Sequence, residues 1–196
     1  MTDHPHPTQP PERPRHPSSH DAGTSAAVFA ALALKPGDVF LDIGCGLGDH
    51  ALVAARIVGQ EGRVHALDAD ARCIRYLAAQ AQFEALPQVD AIEADITRTL
   101  PLPDGSAAAC LLAAVLHMPR VAHALPAVFS ELFRTLGENG RVCALECGTF
   151  PLCGPPLPPD LAGGRIMAAA RSSGFHLSSV AMLGYHYLMT FQKAHP

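Results

Sequence analysis

Short apolar runs alternate with longer segments of helical periodicity through most of this chain. The apolar runs are typical of strands: VFLDIG, RVHALD, VDAIEAD, AAACLLAAVLH and GRVCALECGTF. Three longer segments have the apolar spacing of helices: HALVAARIVG, RCIRYLAAQAQFEAL and VAHALPAVFSELFRTL. Within the runs, apolar residues follow one another instead of alternating, which is typical of strands covered on both faces. The pattern therefore predicts a doubly wound α/β fold with a mostly parallel sheet between two helix layers.

The carboxyl-terminal segment HLSSVAMLGYHYLMTFQKA predicts two further strands. GYH, in its middle, is short enough for a hairpin turn, so these two strands are expected to be antiparallel. Helices are also predicted for AGTSAAVFAALAL, before the first strand, and for LAGGRIMAAARSSGF, before the last two. Together the elements predict a seven-stranded sheet with helices on both faces and an antiparallel carboxyl-terminal hairpin.

The amino-terminal twenty residues differ in composition from the rest of the chain. They contain six prolines and four histidines and show no apolar periodicity. We predict a disordered Pro/His-rich tail over residues 1–20 and a single domain over residues 21–196. The four histidines have no spacing that fixes a metal geometry, so no metal site is predicted there.

Composition and charge narrow the classes of partner. The net charge of -4 and the sequence pI near 6.2 disfavour nucleic acid and anionic membrane surfaces, which bind basic proteins. No apolar run reaches the length of a membrane span, and the amino terminus lacks the apolar core of a signal peptide. The cysteines lie mostly in apolar runs, which is typical of reduced, buried thiols. We expect a cytoplasmic protein with a small-molecule partner.

The segment FLDIGCGLGDH, residues 40–50, places Gly44, Gly46 and Gly48 directly after the first strand. Ligands of such sheets bind beyond the carboxyl ends of the strands, and glycines let a ligand approach the main chain. A dinucleotide fingerprint needs glycine at position 49, where this chain has Asp49, so a nicotinamide-dependent oxidoreductase is disfavoured. Asp42, just ahead of the loop, suits a ligand with a cationic amine.

The segment LKPGDVFLDIGCGLG is similar to the first signature of the class I S-adenosylmethionine-dependent methyltransferases, and the resemblance extends from about residue 22 to 194. It implies a Rossmann-like methyltransferase fold, with S-adenosylmethionine as cofactor and S-adenosylhomocysteine as product. It also implies that the glycine loop, including Cys45, wraps the methionine part of the cofactor. Asp42 takes the role of holding that end.

Further cofactor contacts follow from the same resemblance. Asp68, in VHALDAD at the end of the second strand, is expected to bind the ribose hydroxyls, with Ala69 beside it. Asp95, in EADI after the third strand, is expected to bind the adenine amino group, while Ile96 packs on the ring. Ala113, in the fourth strand run, completes the predicted cofactor-binding set.

The segment LLAAVLHMP bears on the methyl acceptor. It lacks the polar-Pro-Pro-aromatic motif of methyltransferases that act on adenine or glutamine amides, and Ala113 and Ala114 supply no ligand for the magnesium of catechol methyltransferases. The remaining similarity is to methyltransferases of small molecules. His117 is the candidate catalytic residue, since it could take a proton from an acceptor hydroxyl or instead cap the turn. Glu146 and Tyr185 are weaker candidates, for which a surface or structural role is expected.

Two alternatives stay open at this stage. One is a module that binds S-adenosylmethionine without catalysis, and the other is a thiol-assisted enzyme similar to arsenite methyltransferases. Cys143 and Cys147 would lie roughly 13 Å apart in an extended strand, too far to share an ion. Cys147 with Cys153, across a loop, remains a candidate pair. A homodimer partner, or the segment around His20, is a candidate to close the cleft.

Overall fold

The computed structural model describes residues 9–14, 22–147 and 164–194 of the chain. Its helices are α1 (Ala22–Leu32), α2 (Asp49–Val58), α3 (Ala71–Phe83), α4 (Pro119–His123), α5 (Leu125–Thr135) and α6 (Ile166–Ser172). Its strands are β1 (Val39–Ile43), β2 (Arg63–Asp68), β3 (Val89–Glu93), β4 (Ala107–Ala113), β5 (Leu136–Cys147), β6 (Phe175–Leu183) and β7 (His186–Lys193). Cys153, the loop PLCGPPLPPD and most of the predicted tail lie outside the described residues. None of the described helices is both long enough and apolar enough to cross a membrane.

All of these strands form one seven-stranded sheet in the order β3-β2-β1-β4-β5-β7-β6. Strands β1 to β5 are parallel to their neighbours within that set, whereas β7 is antiparallel to both β5 and β6. The predicted fold class, including the antiparallel carboxyl-terminal hairpin, is therefore confirmed. The strand order changes direction between β1 and β4, and the carboxyl ends of these strands flank the crevice in which such sheets bind ligands.

The core consists of two apolar clusters, one on each face of the sheet. Consecutive residues of one strand supply both clusters: Leu41 packs on one face and Phe40 on the other, and both are fully buried. Leu112 and Leu111 of β4 divide in the same way. The consecutive apolar residues in the sequence thus correspond to strands that are covered on both sides.

Two element boundaries differ from the predictions. The single helix predicted from Val121 to Leu136 is divided at Ala124 into α4 and α5. Pro126 stands in the first turn of α5, where it is tolerated because its missing N–H has no helical partner there. Strand β5 begins at Leu136, ahead of the predicted start at Gly140, because Leu136 pairs with Ala107 of β4 before a register irregularity.

Candidate active site

A cavity of about 820 Å³ opens at the carboxyl ends of the parallel strands. This volume is typical of sites for nucleoside-sized ligands. It brings together, from separate strands and loops, all of the predicted site residues except Gly48. Those lining residues are Asp42, Gly44, Cys45, Gly46, Asp68, Ala69, Asp95, Ile96, Ala113 and His117.

The glycine loop is held in a conformation that favours glycine. Gly44, Gly46 and Gly48 have φ angles of 75°, 54° and 80°. A Cβ atom on Gly44 would lie 2.7 Å from a methyl group of Val115, and one on Gly48 would lie 2.3 Å from a methyl group of Leu77. Gly48, a predicted cofactor contact, does not line the cavity, and its missing side chain leaves room for the Leu77 side chain of α3. Of the three glycines, Gly44 and Gly46 line the cavity.

Asp42, in β1, is a buried acid with an unsatisfied oxygen. Its side chain is 2% exposed, and the backbone N–H of Ala51 is close enough to favour the charged form of its carboxyl. Among the described residues, Oδ2 has no hydrogen-bond partner. Burial raises the pKa of Asp42 to about 7, and the negative charges of Asp68 and Asp49 act in the same direction. A cationic ligand group in the cavity would stabilise the ionised carboxylate of Asp42.

Asp68, at the end of β2, faces the cavity in a fixed orientation. Its Oδ2 accepts a hydrogen bond of 2.9 Å from the backbone N–H of Gly46, and its Oδ1 accepts one of 2.8 Å from that of Asp70. Each carboxylate oxygen keeps a second lone pair. The side chain is therefore positioned to accept hydrogen bonds from two neighbouring hydroxyl groups of a ligand.

Asp95, which follows β3, also lines the cavity, and neighbouring residues engage both of its carboxylate oxygens. Its Oδ1 accepts hydrogen bonds from the backbone N–H and the hydroxyl of Thr97, and its Oδ2 pairs with Arg120 at 2.7 Å and Arg98 at 3.3 Å. The hydrogen bonds from Thr97 are the main cause that lowers the pKa of Asp95. Ile96, beside it, is nearly buried and supplies an apolar surface to the cavity.

His117 and Glu146 form a hydrogen-bonded pair at the ends of β4 and β5. His117 Nδ1 is 2.9 Å from Glu146 Oε2, and Glu146 is fully buried. Glu146 Oε1 accepts the backbone N–H groups of Val115 at 3.0 Å and Leu116 at 2.6 Å. The hydrogen bond to Glu146 raises the pKa of His117, although burial opposes the shift. Because Glu146 holds Nδ1, Nε2 is the remaining ring nitrogen.

The surface role considered for Glu146 is therefore wrong, and its structural role is to organise the turn that carries His117. Ala114, at the start of that turn, has a φ of 54°, in the left-handed region. Its backbone N–H donates to the Leu145 carbonyl oxygen over 2.7 Å, which joins the turn to β5. The sequence did contain a signal, namely one acid near the end of the apolar run RVCALEC.

Arg13 and His50 also line the cavity, although the sequence did not single them out. Arg13 belongs to the predicted tail, yet its guanidinium makes a bidentate ion pair with Asp49, with N–O distances of 2.9 Å and 2.7 Å. Arg13 is half exposed, so this ion pair lies at the surface, and the disordered tail over residues 1–20 stays a prediction. His50 is buried, and its Nδ1 is 3.3 Å from the hydroxyl of Ser25 in α1.

The remaining candidates are not part of the cavity. Tyr185 is exposed in the turn between β6 and β7. Cys143 is buried, with its Sγ 3.5 Å from the hydroxyl of Thr190, and burial raises its pKa to about 11. The side chain of Cys147 and all of Cys153 lie outside the described residues. In the described parts of the chain, no cluster of His, Cys, Asp or Glu is arranged to hold a metal ion.

The amino-acid sequence is similar to those of known methyltransferases. The profile of a methyltransferase domain family matches residues 40–140, about half of the chain. The 2-phytyl-1,4-naphtoquinone methyltransferase of Trichormus variabilis is 35% identical over 114 residues, which are 57% of this chain and 48% of that protein. The demethylmenaquinone methyltransferase of Symbiobacterium thermophilum is 29% identical over 114 residues, 57% of this chain and 43% of that protein. This chain thus spans about half the length of these curated relatives.

Solved structures with the same fold cover more of the chain. An S-adenosylmethionine-dependent methyltransferase from Aquifex aeolicus superposes with a TM-score of 0.73 at 20% identity, over 86% of this chain and 88% of that one. The geranyl diphosphate C-methyltransferase of Streptomyces coelicolor also gives a TM-score of 0.73, at 15% identity, over 88% of this chain and 80% of that one. At such identities these structures show the fold alone. The match to the methyltransferase domain family, on this fold, shows that the chain belongs to the class I S-adenosylmethionine-dependent methyltransferase family.

Proposed function

We propose that this protein binds S-adenosylmethionine and transfers its methyl group to a small molecule that carries an ionisable hydroxyl group. The main support is Asp42, which lines a cavity bordered by glycine main chain and whose buried Oδ2 lacks a partner among the described residues. Isolated buried carboxylate oxygens are costly, so such an atom suggests a ligand that supplies a cation. The α-ammonium group of S-adenosylmethionine is a cation of this kind.

The other lining residues fit the remaining parts of the cofactor. The main chain of Gly44 and Gly46 borders the place for its methionine part, and Asp68 presents two acceptor oxygens to the ribose hydroxyls. Ile96 offers an apolar surface for the adenine ring, next to Asp95. When bound, S-adenosylmethionine supplies an electrophilic methyl group on a sulfonium sulfur. Holding donor and acceptor in line accounts for most of the catalysis that such a transfer needs.

His117 is the candidate general base for the acceptor. Glu146 accepts the hydrogen bond from Nδ1, which leaves the lone pair of Nε2 to take the proton of an acceptor hydroxyl. The negative charge of Glu146 then stabilises the imidazolium that results. The acceptor oxyanion, or a ring carbon conjugated with it, becomes the nucleophile that takes the methyl group. Methylation at carbon then ends with loss of the ring proton, which restores the aromatic ring.

The names of the curated relatives suggest which acceptors to test first. These proteins are named for a phytylated naphthoquinone and for demethylmenaquinone. Their reduced forms carry ionisable ring hydroxyls next to carbon atoms that can be methylated. Met118, which is half exposed, and Val121 supply apolar lining beside His117 for such a ring. We therefore expect an aromatic or enolic hydroxyl compound rather than an amine.

Two experiments test the proposal in sequence. Calorimetry with S-adenosylmethionine and S-adenosylhomocysteine should show binding of both, and absence of binding at high micromolar concentrations would contradict the proposal. Incubation with methyl-labelled cofactor and reduced naphthoquinones, or with a metabolite extract, should then give a labelled product that is lost in His117→Ala. Binding without any labelled product would instead support the module without catalysis.

A further inference from the structure

We propose that Arg13 completes the cofactor site by binding the carboxylate of the amino-acid part of S-adenosylmethionine. This inference rests on the proposed function and assigns a cofactor contact to residues 9–14, a segment that the sequence predicts to be part of a disordered tail. It makes that segment a part of the binding site rather than an appendage.

The position of Arg13 is defined by its contacts. Its two terminal guanidinium nitrogens each donate to one oxygen of Asp49, in the first turn of α2. This turn directly follows the glycine loop. Arg13 and Asp49 both line the cavity that Asp42 lines, and Tyr76 of α3 also interacts with the guanidinium. Segment 9–14 is thus anchored beside the end of the cavity where the amino-acid part of the cofactor is expected.

Several acids lie at this end of the cavity, so a ligand carboxylate bound there needs a positively charged group beside it. The amino-acid part of the cofactor is a zwitterion: Asp42 can neutralise the ammonium group, but the carboxylate would face Asp42, Asp49 and Asp68. Without a positive charge nearby, these acids would repel it. A guanidinium between Asp49 and the ligand removes that conflict.

Arg13 is the only arginine at this end among the described residues that line the cavity. The other lining arginines are Arg72, which pairs with Asp70 after β2, and Arg120, which pairs with Asp95 on the adenine side. Arg13 alone is held by an acid that adjoins the glycine loop.

The chemistry of the side chain permits both contacts at once. Each terminal nitrogen of a guanidinium has two hydrogens, so a bidentate pair with Asp49 leaves a second N–H on each. The two outer N–H groups point away from each other, but the one beside Nε–H forms an edge with it that can donate to a ligand carboxylate, in the charge-assisted geometry for which arginine is suited. Asp49 is then a positioning residue, because it orients the guanidinium without contacting the ligand. A half-exposed ion pair contributes little to stability by itself, so its main effect is expected on binding.

The test compares two ligands that differ in the amino-acid part. S-adenosylhomocysteine has it, whereas 5′-methylthioadenosine keeps the adenine, the ribose and the thioether but lacks the carboxylate and the ammonium group. In the full chain, we expect Arg13→Gln to weaken S-adenosylhomocysteine binding by about 10- to 100-fold and to leave 5′-methylthioadenosine binding unchanged. Arg13→Lys, which keeps the charge, should retain part of the affinity.

Arg56→Gln is the matched control. Arg56 pairs with Glu84 outside the cavity, and its side chain is 55% exposed against 50% for Arg13, while the paired acids are 20% and 18% exposed. This variant should bind both ligands as the wild type does.

The outcomes separate this inference from the proposed function. If Arg13→Gln changes the affinity for neither ligand, or weakens both equally, Arg13 does not bind the carboxylate and the inference is wrong. Equal affinity of the wild type for the two ligands would contradict it as well. If the wild type binds neither ligand, the proposed function itself fails.

Discussion

Asp42 and Glu146 are both buried acids near the ends of parallel strands, yet their surroundings give them different roles. Glu146 receives two backbone N–H groups and the ring of His117, so its oxygens are satisfied within the protein. Asp42 has one oxygen with no partner among the described residues, and burial raises its pKa to about 7. We therefore infer that Glu146 organises the site, whereas Asp42 is available to a ligand.

Substitution of Glu146 tests its effect on the candidate base. Glu146→Gln removes the negative charge that favours the protonated ring, so the pKa of His117 should fall. Because a general base must be deprotonated, the rising limb of the pH–rate profile should move to lower pH, while kcat decreases since the ring is held less well. NMR titration of the His117 ring protons measures the shift even before the acceptor is known.

Asp90→Asn is the matched control for that titration, because it removes the carboxylate partner of another histidine, His65, at the surface. This variant should leave the His117 titration unchanged. If Glu146→Gln leaves the His117 pKa in place, or raises it, the role assigned to Glu146 is wrong.

At the level of elements, the local sequence pattern predicts whether a segment is a helix or a strand better than it predicts where that element begins and ends. RVHALD predicted the extent of β2, which is Arg63–Asp68, because both its length and its apolar residues are typical of a buried strand. The start of β5 could not be predicted, since LGENG reads as a turn and becomes a strand only by pairing with β4. Pro126 marked the division between α4 and α5, but the apolar periodicity on both sides suggested one continuous helix.

Substitution of Gly48 tests whether the close contact between this residue, at the start of α2, and Leu77 of α3 contributes to stability. Gly48→Ala should lower the free energy of unfolding by about 2 to 4 kcal/mol, because alanine is strained at a positive φ and its Cβ would overlap the Leu77 side chain. Gly37→Ala is the control: Gly37 has a φ of 85°, but no atom lies within 4 Å of its Cβ position. This change should cost only about 1 to 2 kcal/mol. Urea denaturation measures both, and equal losses would contradict the packing role of Gly48.

At the level of the whole molecule, the sheet determines which parts of the site the sequence can predict. The glycine loop, Asp68 and Asp95 each follow a strand of the parallel sheet, so their common edge followed from the fold class. Glu146 and His117 come together because Ala113 pairs with Leu145 across β4 and β5, a register that the sequence does not specify. Arg13 meets Asp49 through a contact between segments far apart in the chain, which no local pattern indicates.

We propose that the buried carboxyl of Asp42 receives the ammonium group of the cofactor. Calorimetric titration with S-adenosylhomocysteine, in two buffers of different ionisation enthalpy, tests it most directly.

Since the pKa of Asp42 is raised to about 7, its carboxyl is mostly protonated at about pH 6 and must lose that proton to pair with a cation. We predict release of about one proton per ligand bound at this pH, with affinity that rises with pH up to about 7. Asp42→Asn should release none and bind about 10- to 100-fold more weakly. Tight binding with no proton release, unchanged in Asp42→Asn, would contradict the claim.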